Sequence, residues 1–353
     1  MHHTLVRFGP MKAARLHRPR GPVTIEDIPQ PAPGPGEVLV RTEACGLCHS
    51  DVFIRSLERL PKTPLTLGHE VIGVIDRAGP EAGDWKPGDR VGLTYLFGGC
   101  EACEACLAGH PEMCPRQLNT GYHADGGFAD YVVARAGSLV RVPTELAAQQ
   151  AAPLCCAGWT AYHAVQSVDL DPGSLVAIFG IGGLGHLGIQ FARLRGFRVA
   201  AVDLADEKLA IAAKLGAEIT INASEGDPAR ALRKEGGAHA AISFVAAASV
   251  IRQAFKSLRR NGTLVLVGLE VADFELPLVD TILKQIRVQG SFLGTRRELR
   301  KVFDLARQGK IRMETTSCPL EDLPDGMKQM ESGRLAGRLV VDFSASGARS
   351  VGP

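Results

Sequence analysis

From Gly21 to about Arg141 the apolar positions come in short stretches, such as Glu37–Arg41, Val71–Ile75 and Tyr131–Val133, separated by Pro and Gly. Short apolar stretches between turn formers are the mark of strands, so this part is predicted to be β-rich and loop-rich. The pattern changes after Pro153. Between Ser174 and Ser291, β-branched runs at Leu175–Phe179, Arg198–Val202, Glu218–Ile221, Ala240–Val245, Thr263–Val267 and Arg287–Ser291 alternate with Ala-, Leu- and Lys-rich stretches. Helices are predicted in those stretches, at Gly183–Arg195, Glu207–Leu215, Pro228–Lys234 and Val250–Leu258. Six strands joined by helical crossovers make a doubly wound parallel sheet, an α/β arrangement. A helix at Arg297–Arg307 and a closing strand at Arg338–Phe343 are expected after it. The expected division is one domain from residues 1–153 and 296–353 and a second from residues 154–295.

A chain of 353 residues is long enough for two such domains with cores of their own. Lys plus Arg number 40 against 38 Asp plus Glu, a formal charge of +2, which leaves no electrostatic footprint for nucleic acid or an anionic membrane. No apolar run reaches membrane-spanning length, the nearest being Ala240–Ile251. Met1–Pro10 carries no apolar core of a secretory signal and reads as an extension or a start-codon artefact, so a cytoplasmic protein is expected.

Gly180-Ile181-Gly182-Gly183-Leu184-Gly185 spells GxGxxG directly after a predicted strand and at the head of a predicted helix, the context that gives the spacing meaning. Gly180 permits the tight turn, Gly182 lets a pyrophosphate approach the backbone, and Gly185 lets helix and sheet pack closely. Asp203, at the end of the next strand, can accept hydrogen bonds from both hydroxyls of an adenosine ribose and repels a 2′-phosphate. NAD is therefore expected over NADP, with Lys208 one turn further on within reach of the ribose.

Nine cysteines is an odd number, and four of them fall at Cys100, Cys103, Cys106 and Cys114. Four thiolates from one loop can close a tetrahedral zinc site with no position left for water, so this zinc is expected to be structural. Cys48-His49-Ser50-Asp51 and Gly68-His69-Glu70 point to a second, open metal site of the Cys2His kind. Spacing alone does not choose its ligands, because Cys45 and Cys48 form a CxxC pair and Cys155 and Cys156 are adjacent.

These motifs, with Leu154-Cys155-Cys156-Ala157-Gly158, the glycine turn, Gly290-Ser291-Phe292-Leu293-Gly294 and Ala336-Gly337-Arg338, stand in one order from about Met11 to Phe343. In that order the sequence resembles the zinc-dependent medium-chain alcohol dehydrogenases of the bacterial and yeast type. The resemblance implies a GroES-like β-rich catalytic domain beside a Rossmann coenzyme domain, with two Zn2+ per chain. It implies that Cys48, His69 and Cys156 hold the catalytic zinc, with Glu70 beside the metal and Asp51 orienting the ligand histidine. It also implies that Ser50 takes part in removing the alcohol proton while hydride passes to NAD. His49 and Arg338 match pyrophosphate-binding positions, Thr160 one beside the nicotinamide, and Tyr95 one lining the substrate pocket. The expected partner is a small alcohol or aldehyde, and the expected assembly a homotetramer, with a dimer as the alternative.

Two departures stand out. Phe53 occupies the place where many relatives carry a histidine that ends the proton relay, and the segment between Cys48 and His69 is about two residues shorter than in the yeast-type enzymes. Together with Tyr95 in place of a tryptophan, the shorter segment points to a roomier pocket for longer or aromatic primary alcohols. A secondary-alcohol or polyol dehydrogenase is the alternative within the fold, and Cys156 argues against the polyol enzymes, which usually place a carboxylate there. A non-enzymatic NAD(H)-binding redox sensor would have no need of Cys48, Ser50, His69 and Cys156 together.

Overall fold

The computed structural model describes residues 9–271, 273–335 and 337–344. Met1–Phe8 of the expected extension, Ala336 of the closing motif and the residues from 345 onward lie outside the described residues. Pro10, by contrast, heads a strand that pairs with Val23–Pro29 from Pro10↔Pro29 to Leu16↔Val23.

Two compact units form. One runs up to Cys156 and takes up Thr295–Gln308 and the chain from Met313 onward; the other comprises Ala157–Gly294 and Gly309–Arg312. The first unit is built on a seven-stranded sheet in the order Val140–Arg141, Arg90–Leu93, Glu70–Ala78, Glu37–Gly46, Arg338–Asp342 and Thr315–Cys318, with Tyr131–Arg135 also pairing Glu37–Gly46. Its core gathers Val38, Val40, Leu47, Val71, Ile75, Val91 and Phe128, all buried. The long strand Glu37–Gly46 has a bulge between Thr42 and Ala44 on its partner Glu70–Ala78, and it ends at the loop that carries Cys48.

The second unit is a six-stranded parallel sheet in the order Ile219–Asn222, Arg198–Asp203, Leu175–Phe179, Ala238–Ser243, Leu258–Leu266 and Arg287–Gly290. That is the nucleotide-binding strand order 3-2-1-4-5-6. All five residues of Leu175–Phe179 are buried, as a central parallel strand covered on both faces requires. The helix after the glycine turn begins at Gly185 rather than at the expected Gly183, because Gly182–Leu184 still form the turn. Pro228–Lys234 has the expected bounds, with Pro228 at its first position and Asp227 capping it by accepting the Ala229 N–H at 2.9 Å. Among the described residues no helix is long and apolar enough to cross a membrane.

Candidate metal centres and nucleotide turn

Cys48 is the N-cap of the helix His49–Ser56, and Asp51 is that helix's third residue. Asp51 accepts the Cys48 N–H at 2.9 Å through Oδ2 and the Gly68 N–H at 3.0 Å through Oδ1. The same Oδ1 stands 3.3 Å from His69 Nδ1, a charge contact short of an aligned hydrogen bond. One buried carboxylate thus ties the Cys48 loop to the His69 loop. Gly68 is required between them: its φ is +95°, and a Cβ there would lie 2.8 Å from Cys45 Sγ and 2.9 Å from the Phe128 ring. Cys156 completes the group from the end of the short turn Ala152–Cys155.

Donor atoms of Cys48, His69, Glu70 and Cys156 all lie within 4.8 Å of one another, and all four residues are buried. Cys48 Sγ and Cys156 Sγ are 3.9 Å apart. The hydrogen bond between the two sulfurs holds Cys48 well below the ordinary thiol range and pushes Cys156 above it. Burial is the largest single influence on His69 and pulls it down, but Asp51 and Cys48 together outweigh it and keep the imidazole well above its usual value. Glu70 is pushed up to about 8 by burial, against the pull of Arg338, whose Nη2 donates to Glu70 Oε1 at 2.7 Å and lies 3.8 Å from Cys48 Sγ. Tyr95 and His69 form a T-shaped ring pair with the centroids 5.2 Å apart.

Among the described residues, neither ring nitrogen of the wholly buried His69 has a hydrogen-bond partner, and Glu70 Oε2 has none. Orphaned polar atoms in a core cost about 1–3 kcal/mol each unless something else satisfies them. Two thiols and one imidazole converging on a point are the donor set that a borderline-soft tetrahedral cation completes, so the residues fit zinc.

The second group is Cys100, Cys103, Cys106 and Cys114, whose sulfurs lie within 4.8 Å of one another. It sits between the paired strands Leu96–Gly98 and Leu118–Asn119, on the helix Glu104–Leu107 and the turn Pro111–Met113. All nine cysteines are free, so the four are not joined as disulfides. The Cys100 N–H and the Arg116 N–H both donate to Cys114 Sγ at 3.3 Å, and the Ala102 amide holds the Cys100 thiol down to about 5. Gly99 lets the loop close, since a Cβ there would stand 2.6 Å from Cys106 Sγ.

In the glycine turn, Gly180 has φ +89°, and a Cβ on Gly185 would lie 1.9 Å from the Gly180 carbonyl oxygen. Beside Gly182 there is open space, as close approach of a phosphate to the backbone demands. Gly183 stands in the turn itself. Asp203 accepts the Ile181 N–H at 2.6 Å through Oδ2 and the Leu204 N–H at 2.8 Å through Oδ1, and Lys208 Nζ is 3.9 Å from Oδ1.

The "Zinc-binding dehydrogenase" family model matches residues 183–308, and that of the "Alcohol dehydrogenase GroES-like domain" matches residues 34–144. An alcohol dehydrogenase of Moraxella sp. (strain TAE123) is 42% identical over 337 residues, 95% of this chain and 100% of the relative. One from Geobacillus stearothermophilus is 41% identical over 334 residues, 94% of this chain and 98% of the relative. The crystal structure of the alcohol dehydrogenase from the hyperthermophilic archaeon Aeropyrum pernix is similar with a TM-score of 0.87 at 33% identity, covering 94% of this chain and 99% of that one. The chain belongs to the zinc-dependent medium-chain alcohol dehydrogenase family.

As a member of this family it is an oxidoreductase that acts on a small-molecule alcohol with a nicotinamide coenzyme and zinc. Other residues named from the dehydrogenase resemblance fall as follows. Ser50 Oγ is 3.6 Å from Cys48 Sγ, and Phe53 is half-buried on the same helix. His49 is exposed, while Thr160 is buried in the helix Ala157–Gln166. Arg338, expected at a pyrophosphate, has its guanidinium on Glu70 and Cys48 and is almost wholly buried. Cys155 is wholly buried, its Sγ 3.7 Å from the Val71 carbonyl. Two contacts have no counterpart in the sequence reading, the Arg338–Glu70 pair and the approach of Arg116 to the four cysteines. For the first, a glycine opposite Glu70 makes the room: a Cβ on Gly46 would lie 2.1 Å from Glu70 Oε2.

Proposed function

We propose that the chain oxidises primary alcohols, longer or aromatic ones in preference to ethanol, with NAD as acceptor and two zinc ions per chain. Cys48, His69 and Cys156 hold the catalytic zinc, and Cys100, Cys103, Cys106 and Cys114 hold the structural one. The observation that carries the reading is the buried His69, with neither ring nitrogen hydrogen-bonded, facing two thiols. Zinc supplies a Lewis acid for the alcohol oxygen, and the nicotinamide supplies the hydride acceptor.

The chain's own groups do the rest. Asp51 fixes the His69 ring, and Arg338 holds Glu70 beside the ligands. Ser50, on the first turn of the Cys48 helix, takes part in removing the hydroxyl proton of the substrate, accepting it while passing its own proton on to water or another base. Tyr95 walls the pocket next to His69. A panel of primary, secondary and polyhydric alcohols, followed by NADH appearance, tests the substrate class. Hexanol and benzyl alcohol are expected to exceed ethanol in kcat/KM, and an equal or better value for ethanol contradicts the roomier pocket.

Asp203 supports NAD over NADP, because its carboxylate already stands at the mouth of the glycine turn with Lys208 beside it. Losing a charge-assisted hydrogen bond to the ribose costs about 1.5–3 kcal/mol. Asp203→Asn is therefore expected to lower kcat/KM for NAD by roughly 10- to 100-fold and to raise it for NADP. Equal use of both coenzymes by the unmodified enzyme contradicts this assignment.

Phe53 cannot pass on a proton, so release goes through water or another base. Phe53→His is expected to raise the rate of alcohol oxidation on the acid side of the pH profile, and an unchanged profile contradicts the relay account.

For assembly we propose a homotetramer built from dimers that join at Arg287–Gly290. In support, this is the edge strand of the six-stranded sheet, and the helix Leu278–Lys284 leaves Leu278, Val279, Ile282 and Leu283 exposed. An open edge beside an exposed apolar face is a surface that association covers.

A further inference from the structure

We propose that His186 is a positioning residue for the coenzyme, holding the peptide between Gly182 and Gly183 so that the Gly183 N–H is offered to the pyrophosphate. The proposal rests on the reading above that the glycine turn carries the nicotinamide coenzyme.

His186 is the second residue of the helix Gly185–Leu194 and is almost wholly buried, in company with Leu187, Ile189 and Phe191. A polar ring buried there costs free energy unless hydrogen bonding offsets it. Its Nδ1 lies 3.0 Å from the Gly182 carbonyl oxygen. A carbonyl oxygen only accepts, so Nδ1 carries the proton in this contact. The same oxygen accepts the His186 backbone N–H at 3.2 Å. One residue thus supplies two donors to the Gly182 carbonyl, one more than the ordinary helical bond provides.

A trans peptide sets its N–H opposite its C=O. With the Gly182 oxygen drawn into the helix, the Gly183 N–H points out of its N-terminal end, where Gly182 is exposed and has open space beside it. The second donor also polarises the peptide and strengthens that N–H. Two glycines flank the peptide, so its rotation is restrained less than at any other residue pair, and the ring bond replaces the missing restraint. His186 is itself anchored. Gln190 Nε2 donates to the His186 carbonyl at 3.1 Å and to the Arg312 carbonyl at 2.9 Å, and Gln190 Oε1 accepts the Arg312 N–H at 2.9 Å. All of these residues belong to the second unit.

The test titrates NADH into the zinc-loaded enzyme by fluorescence, then displaces it with ADP-ribose, which carries a pyrophosphate, or with adenosine, which does not. His186→Leu keeps the bulk of the side chain without a donor, and His186→Asn keeps an N–H at the place of Nδ1. Loss of one neutral hydrogen bond predicts roughly 3- to 10-fold weaker binding of NADH and ADP-ribose to His186→Leu, with adenosine binding changed less than about twofold. In alcohol oxidation the KM for NAD should rise by the same factor, while kcat at saturating NAD stays within about twofold. His186→Asn should recover most of the difference. NADH and ADP-ribose bound by His186→Leu as tightly as by the unmodified enzyme overturn the proposal. So does His186→Asn as weak as the leucine variant, or adenosine weakened in step with ADP-ribose, the outcome of a ring that only supports the fold. If the unmodified enzyme binds ADP-ribose no better than adenosine, the pyrophosphate reading of the turn falls and the proposal with it, and that result shows before any variant is made.

Discussion

His69→Ala is expected to reduce alcohol oxidation by at least about a thousandfold, since Lewis-acid assistance contributes several kcal/mol to such reactions. Metal analysis should find one zinc per chain in place of two. The argument is local. His69 offers the one nitrogen donor of its cluster, and Cys48 and Cys156 remain as two sulfurs that share a proton across 3.9 Å. Asp51 keeps its bonds to the Cys48 and Gly68 amides in the variant, so the loops stay in place and the loss is one of metal rather than of fold. The melting temperature, measured alongside activity, should fall far less than in the lobe variant described next. A variant that loses zinc but keeps activity would show that the reacting alcohol is held elsewhere.

Cys103→Ser is expected to act on stability first. The lobe has little apolar core: none of the residues of the helix Glu104–Leu107 is buried, and Leu107 and Met113 are exposed. Such a segment depends on its metal, because the binding free energy of a structural zinc is folding free energy. If one missing thiolate costs about 4 kcal/mol, the melting temperature falls by roughly 5 °C. The zinc count should drop by one, and the activity of freshly prepared protein should survive at low temperature and decay quickly on warming. Calorimetry together with metal analysis checks this, and an unchanged melting temperature with the second zinc gone would remove the structural role.

The second unit was legible in the sequence because its strands are central and parallel. Leu175–Phe179 is apolar at every position and bounded by turn formers, so burial on both faces writes a continuous run. Pro10–Leu16 and Val23–Pro29 escaped because Pro, Arg and Asp interrupt their patterns, and what makes them a hairpin is mutual pairing. The helix Leu278–Lys284 escaped because its apolar residues face outward and give no amphipathic stripe towards the core.

The four-cysteine group needed no tertiary information, since one loop carries all its donors. The other cluster did need it. Cys45 and Cys48 are equivalent by spacing, but Cys45 lies within the strand Glu37–Gly46, wholly buried and paired with Val71, whereas Cys48 caps the next helix beside His69. Cys155 and Cys156 divide in the same way, with Cys155 Sγ turned to the Val71 carbonyl and Cys156 Sγ to Cys48. Backbone direction made that choice, and a single sequence does not record it. The role of Arg338 was equally out of reach, because its partner Glu70 lies 268 positions away.

The most direct test of the central claim is NADH appearance with hexanol on samples stripped of zinc in steps and analysed for metal at each step. The account predicts two zincs at the start and activity that vanishes as the zinc held by Cys48, His69 and Cys156 leaves, while the lobe keeps its own. Activity that persists once that zinc has gone, or none in protein holding both, would contradict it.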